Sequence, residues 1–167
     1  LERASDVGGT WRDNVYPGCA CDIPSLLYSF SFERNPSWTR VFPRQHELWD
    51  YLRHCSVKYG VQSHIRFGTA LDEATYDEET ASWRLRTADG RTLTTRVLIS
   101  AMGPLSKPNI PKFRGAERFA GAAFHSAQWD TSVDLRDRRV AVIGTGASAV
   151  QIVPEIAPQV QNLALFQ

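Results

Sequence analysis

The sequence contains few of the features that mark membrane or secreted proteins. It has no apolar run of about 18 residues, the length that a membrane-spanning helix requires, and its N-terminus, LERASDVGGTW, has no signal-peptide pattern. Its 19 Lys and Arg residues and 18 Asp and Glu residues give a formal net charge of +1, so no broad electrostatic field favours nucleic acid or an anionic membrane. We therefore expect a soluble, cytoplasmic chain that binds neither.

Cysteine is also scarce. Cys19, Cys21 and Cys55 are odd in number and lack the paired CxxC spacing of a zinc site. Free thiols that pack as small apolar residues account for them better than a disulfide framework or a metal centre. We expect no metal.

Neither end of the chain resembles the end of a protein. Leu1 and Glu2 resemble the last residues of a buried strand, and residues 163–167 form an apolar run typical of a strand. With 167 residues, 43% of them hydrophobic, the chain can bury one ordinary core or parts of two domains. We expect a fragment of a longer protein.

The first half of the sequence predicts an irregular segment, a helix and a small sheet. Residues 3–45 are rich in Gly, Pro, Ser and aromatics without a period, and an irregular segment of that length is usually functional. His46–Gly60 has helical apolar spacing and ends at a glycine. The β-like runs 65–76, 82–87 and 92–100, with Asp89-Gly90 as a turn, predict an antiparallel meander. The Pro- and Gly-rich residues 102–115 predict an extended connector.

The last 30 residues predict one β-α-β unit, with strands at 140–143 and 162–166 and a helix at 147–157 that contains Pro154. The turn Gly144-Thr145-Gly146-Ala147-Ser148-Ala149 matches GxGxxG/A in the context that the motif needs. Gly144 permits the tight turn, Gly146 lets backbone approach a pyrophosphate, and Ala149 lets helix and strand pack closely. The phosphates would face the helix N-terminus. The alternative is a Gly-rich turn that binds nothing.

Glu2 suggests a second nucleotide site. An acidic residue at the end of the second strand of such a unit commonly binds ribose hydroxyls, so another Gly-rich turn would precede Leu1 by about 20 residues. A strand-end Glu that is merely solvated is the alternative. Two nucleotide units separated by a meander would make a flavin plus nicotinamide oxidoreductase.

Two longer motifs specify the class of protein. Residues 8–22 match [AG]GxW, four residues, [FY]P[GM], three residues and Asp; Phe119, Gly121, His125, Trp129 and Asp130 match FxGxxxHxxxW[PD]. Both resemble the fingerprints of type I Baeyer-Villiger monooxygenases. The segments IPSLLYSFSF, SAMGPLSKPNIP and GTGASAVQ are similar to that family too, so the resemblance covers nearly the whole chain.

This resemblance implies an α/β fold with two dinucleotide-binding domains. Residues 1–103 would be an incomplete FAD domain that contains the antiparallel meander, 104–115 a connector, and 116–167 the start of a Rossmann-like NADP domain. NADPH would reduce FAD, O2 would add at the flavin C4a atom, and the resulting peroxide would insert oxygen beside the carbonyl of a ketone. The upstream FAD pyrophosphate loop and the downstream active-site arginine lie outside the sequence, so we expect the isolated chain to be inactive.

The resemblance also implies roles for individual residues. Asp22 and His125 would be catalytic, Asp22 by orienting the arginine and His125 as part of a hinge between nicotinamide and flavin domains. Glu2 would bind the FAD ribose, and the flavin would be lined by Gly9, Thr10, Trp11, Arg12, Asp13, Asp22 and Tyr28. NADP would contact Ala20, Cys21, Asp22, Gly144, Thr145, Gly146, Ala147, Ser148, Ala149, Val150 and Gln151.

Each motif residue taken alone has a simpler interpretation. Trp11 and Trp129 could be core aromatics, His125 a hydrogen-bonded core histidine, and Asp22 a helix N-cap before Ile23. Two other functions also stay open: a related flavin monooxygenase that oxidises nitrogen or sulfur, and a non-catalytic nucleotide-binding fragment. The nitrogen- and sulfur-oxidising enzymes usually have Tyr or Phe at the end of the comparable motif, so Trp129-Asp130 favours ketone oxidation.

Overall fold

The computed structural model describes all residues from Leu1 to Gln167, and they form two compact units. The first unit comprises Leu1–Gly8 and Leu52–Pro104, and the second comprises Gly9–Tyr51 and Leu105–Gln167. The α-helices are Thr10–Asp13 (α1), Gln45–Lys58 (α2) and Ala147–Ile156 (α3), and the strands are Leu71–Asp77 (β1), Ser82–Thr87 (β2), Thr92–Thr95 (β3), Arg139–Ile143 (β4) and Asn162–Phe166 (β5). The α/β class is therefore as predicted, whereas the division at 104–115 stays a prediction.

The first unit is built on the predicted antiparallel meander, with strand order β1-β2-β3. The turn between β2 and β3 contains Asp89 and Gly90, and Gly90 has φ +84, a left-handed conformation that favours glycine. Cross-strand neighbours Tyr76 and Trp83 place their rings 5.2 Å apart, and Leu85 on β2 is buried. These contacts confirm the meander and its turn.

Two strands are shorter than the sequence predicts. β1 begins at Leu71 rather than residue 65, because the preceding backbone pairs elsewhere: Gly68 N–H donates to the Ala4 carbonyl and Thr69 N–H to the Glu2 carbonyl. β3 ends at Thr95 rather than residue 100, since no strand pairs with the residues that follow. Apolarity at positions such as Val97 and Ile99 does not itself supply a partner, and both are exposed.

In the second unit, β4, α3 and β5 form the predicted β-α-β unit. The two strands are parallel, with Val140 opposite Leu163 and Val142 opposite Leu165. Helix α3 buries Ile152 and Ile156, which are one turn apart and therefore lie on one face. The helix contains Pro154.

Residues 9–44 of the second unit are mostly irregular apart from the single turn of α1, as expected for residues 3–45. Tyr51 on α2 fixes part of this segment: its hydroxyl accepts a hydrogen bond from Phe30 N–H (2.8 Å) and donates one to the Glu33 carbonyl (2.6 Å). Leu48 on the same helix is completely buried. None of the helices has the length and apolarity needed to cross a bilayer.

Candidate functional site

The turn between β4 and α3 has the geometry of a phosphate site. Gly144 N–H donates to the Phe166 carbonyl, and Gly146 is the N-cap of α3 without a side-chain cap. A Cβ added to Gly146 would meet no atom within 4 Å, so the space beside this backbone is open. Because the first N–H groups of a helix have no intrahelical acceptor, and the first turn of α3 contains no acidic residue, the turn fits a pyrophosphate.

A second feature of the site is the loop from Tyr16 to Asp22, hereafter the motif loop, which contacts α3 through Gln151. Gln151 Nε2 donates to the Ala20 carbonyl (2.8 Å), and Gln151 Oε1 accepts from Ala20 N–H (3.3 Å) and from the Tyr16 hydroxyl (3.0 Å). One side-chain amide therefore binds both backbone polar groups of Ala20 and a ring hydroxyl of the same loop.

The opposite edge of the motif loop is paired with backbone. Cys21 N–H donates to the Pro43 carbonyl and Gln45 N–H to the Cys19 carbonyl, both at 2.9 Å. Cys19 and Cys21 are buried, and burial raises the pKa of both thiols, as expected of packing residues. The loop is thus held on both edges.

Gly18 lets this loop lie close to α3. Its φ of +79 is left-handed, and a Cβ at this position would lie 2.5 Å from the Gln151 carbonyl oxygen and 2.7 Å from Glu155 Cγ. Because backbone gives way less easily than a flexible side chain, a residue with a Cβ at this position would force the loop or the helix to shift. Arg44 Nη2 pairs with Glu155 Oε1 at 2.7 Å beside this contact.

Tyr16 is the first residue of the motif loop, and its side chain has a ring hydroxyl that binds Gln151. Burial raises its pKa to about 12, and the protonated hydroxyl donates to Gln151 Oε1. A hydrogen bond with Ser148 acts in the opposite direction on the pKa but is the smaller effect. Tyr16 therefore contacts α3 through Gln151.

Several predicted flavin-lining residues also lie together. Trp11 Nε1 donates to the Tyr28 hydroxyl (3.0 Å), and the rings meet edge to face with centroids 5.7 Å apart. The Trp11 carbonyl accepts from Gln45 Nε2. Arg12 and Asp13 form an ion pair (Nε to Oδ1, 2.7 Å). Both residues lie in α1, which begins at Thr10 with Gly9 as its N-cap. Trp11 is half-buried rather than in the core.

Asp22 closes the motif loop and is exposed. No helix begins after it, so its interpretation as a helix N-cap is wrong. Cys21 Sγ instead accepts from Ile23 N–H at 3.4 Å. The Asp22 carboxylate therefore follows directly on a backbone segment that is held on both edges.

The second motif forms a local structure around His125. Its Nδ1 accepts from Ala127 N–H (3.1 Å) and caps the short 3-10 helix Ser126–Gln128. The Trp129 ring packs edge to face on Phe124, with centroids 5.1 Å apart. Both His125 and Trp129 are half-buried, so neither is a fully buried core residue.

The remaining positions of this motif are also explained locally. A Cβ on Gly121 would lie 2.6 Å from Phe119 Cζ, because the ring covers that backbone. Asp130 accepts from Ser132 N–H and Oγ, and these hydrogen bonds hold the pKa of its carboxyl below the usual value.

Glu2 belongs to the first unit, and the other predicted site residues belong to the second. Its Oε1 accepts from Ala4 N–H (2.7 Å). Its backbone pairs with Arg66 and Thr69. The remaining predicted NADP contacts, Thr145, Ala147, Ala149 and Val150, all lie in the β4–α3 turn or the start of α3.

Sequence reasoning missed two residues at the contact with α3. Arg44 and Glu155 form an ion pair across 111 positions of sequence, and neither falls in a motif. Isolated charges of opposite sign carry no signal of pairing at that separation. Tyr16 and Gly18, by contrast, are specified positions of the first motif, but the pattern does not indicate their contact with α3.

Comparisons with known proteins agree on one family. Residues 1–166 match a family model described as FMO-like, flavin-binding monooxygenase-like. The whole chain is 53% identical to a Baeyer-Villiger monooxygenase of Streptomyces coelicolor and covers 32% of it.

Solved structures are similar over the same extent. An oxidized steroid monooxygenase bound to NADP has a TM-score of 0.91 and 42% identity, and the chain covers 33% of it. The OTEMO complex with FAD and NADP has a TM-score of 0.93 and 37% identity, with 33% of that chain covered. In both cases 99% of this chain is matched. The chain therefore spans one third of the length of these relatives.

The Gly18 contact predicts a large effect of a single methyl group. Gly18→Ala in the full-length protein should lower the free energy of unfolding by about 2 to 4 kcal/mol, because it adds left-handed strain and an overlap with α3 backbone. Gly146→Ala is the matched control and should change it by less than about 1 kcal/mol. Urea unfolding of both variants measures the difference, and equal stabilities would show that Gly18 does not govern the approach.

Proposed function

Because this chain belongs to the flavin-binding monooxygenase-like family, we propose that the full-length protein is an NADPH-dependent FAD monooxygenase that inserts oxygen beside the carbonyl of a ketone. The observation that carries this proposal is the attachment of the motif loop to α3. The loop has the Baeyer-Villiger pattern, and α3 presents the phosphate-binding turn at its N-terminus. The Baeyer-Villiger and steroid monooxygenases that resemble this chain support the same reaction.

FAD and NADPH, when bound, supply hydride transfer and oxygen activation, and the residues of this chain bind and orient them. The open space at Gly146 and the unpaired N–H groups of α3 would hold the NADP pyrophosphate. Trp11, Tyr28 and the Arg12–Asp13 pair would border the flavin. Residues 1–103 would then belong to the FAD domain and 116–167 to the NADP domain, joined by 104–115.

Asp22 is the residue of this chain that we assign to the reaction itself. Its carboxylate is exposed and follows the fixed backbone of Cys21, so its position is set while its charge remains available. An anionic group fixed in this way can orient a cationic side chain or the nicotinamide beside the flavin. His125 already uses Nδ1 as an acceptor for its own turn, which leaves Nε2 as the donor of the neutral ring; we assign it to the hinge between domains.

The direct test is oxygen consumption by the purified full-length protein with FAD and NADPH. Addition of a cyclic ketone should increase O2 uptake, and the amount of lactone formed should equal the additional O2 consumed. Oxidation of a thioether or a tertiary amine without lactone formation would identify a nitrogen- or sulfur-oxidising enzyme instead. Nucleotide binding without any O2 uptake would leave only the non-catalytic interpretation.

The phosphate site predicts that Gly146→Val separates the two cofactors. A branched side chain would occupy the space that the pyrophosphate needs, so the dissociation constant of NADPH should rise at least about tenfold, or 1.4 kcal/mol. Bound FAD should be retained. Ala157→Val, at the other end of α3, is the control. Loss of FAD with normal NADPH affinity would show that the two sites have been assigned the wrong way round.

For Asp22, removal of the charge should affect turnover rather than folding. Asp22→Ala should lower ketone oxygenation by roughly a hundredfold, a usual cost of deleting one group that stabilises charge in an active site. Its unfolding midpoint should stay close to that of the parent, because the carboxylate is exposed. Asp134→Ala, which removes another exposed aspartate, serves as the control. Unchanged turnover would exclude Asp22 from the site.

A further inference from the structure

Gln151 has hydrogen bonds that suit a structural clamp better than a ligand contact. A side-chain amide has the donor and acceptor of a peptide group, so it can satisfy the N–H and C=O of one residue as a neighbouring strand would. Gln151 does this for Ala20, with Nε2 at 2.8 Å from the carbonyl and Oε1 at 3.3 Å from the N–H. The neighbouring residues Cys19 and Cys21 pair in the other direction, with Gln45 and Pro43.

Gln151 lies in the N-terminal half of α3, close to the phosphate turn. The helix begins at Ala147, directly after Gly146, so Gln151 lies about one turn from the N–H groups of the phosphate turn. Tyr16 contacts the same helix through its hydrogen bond to Gln151. A displacement of the helix N-terminus therefore acts on Ala20, and Asp22 is only two residues further along the loop.

We infer that Gln151 is a positioning residue, whose amide fixes the motif loop to α3 so that the phosphate turn and Asp22 move together. This role replaces the direct NADP contact that the family resemblance implies for Gln151. The identities of the two cofactors and of the ketone rest on the proposed function, whereas the clamp rests only on the hydrogen bonds of Gln151. Gly18 supports it, since this glycine allows the backbone of the loop to approach Gln151 within the distance that the amide can reach.

Two substitutions of Gln151 in the full-length protein test the clamp. Gln151→Ala removes all three hydrogen bonds, whereas Gln151→Glu keeps an acceptor for Tyr16 and for Ala20 N–H but loses the donor to the Ala20 carbonyl. Gln161→Ala is the matched control, because Gln161 is exposed and follows α3. If Gln151→Ala does not fold, Gln151→Glu carries the test.

The first readout is amide hydrogen exchange of the motif loop, which requires neither substrate nor turnover. Exchange at Ala20 should be about tenfold faster in Gln151→Ala, the cost of one ordinary hydrogen bond. Exchange at Ala20 in Gln151→Glu should be faster than in the parent, because the donor to the Ala20 carbonyl is lost, but slower than in Gln151→Ala, and Gln161→Ala should match the parent. Unchanged exchange at Ala20 in both Gln151 variants would overturn the clamp.

The second readout separates positioning from NADPH binding. If Gln151 is a clamp, kcat for ketone oxygenation should fall by about tenfold in Gln151→Ala, and a larger share of the electrons from NADPH should reduce O2 to hydrogen peroxide instead of oxygenating the ketone. KM for NADPH should change less. A raised KM for NADPH with unchanged kcat and unchanged exchange would make Gln151 a ligand and refute the inference. If the parent protein oxidises no ketone, the proposed function fails, and the exchange measurement still decides whether the clamp exists.

Discussion

The close approach of the Gly18 backbone to helix α3 is the constraint on which the site depends. With a Cβ at this position only 2.5 Å from the Gln151 carbonyl oxygen, the loop would have to move away from the helix. Gln151 would then no longer reach both polar groups of Ala20, and Tyr16 would lose its acceptor. The arrangement of Asp22 relative to the phosphate turn thus follows from one residue without a side chain.

Backbone groups, rather than ion pairs, hold this arrangement together. Both edges of the motif loop are hydrogen-bonded, one to the backbone at Pro43 and Gln45 and the other to the Gln151 amide. The nearby Arg44–Glu155 ion pair is partly exposed, and exposed pairs contribute little because water and salt screen them. A loop fixed by its peptide groups keeps its position while the side-chain carboxylate of Asp22, its last residue, stays exposed to solvent.

The parts that could be predicted from sequence are those governed by local rules. The β-α-β unit and the Asp89-Gly90 turn follow from short-range apolar patterns and turn chemistry, and both strands of that unit lie where they were predicted. The early start assigned to the first strand was wrong, because pairing of Thr69 with Glu2 depends on distant residues. The Gln151–Ala20 contact spans 131 positions, and no local pattern encodes it.

The residues of the two motifs have different roles in the structure. Tyr16 and Gly18 support the contact with α3, Gly121 makes room for the Phe119 ring, and Trp11 is tied to Tyr28. Each of these residues has a packing or hydrogen-bonding role within the chain, beside any role toward a ligand. Asp22 is different: it is exposed, caps no helix and follows a backbone that is already fixed. The proposed role of Asp22 toward a bound group therefore rests on its exposure beside a fixed backbone, whereas its neighbours in the motif already have packing or hydrogen-bonding roles within the chain.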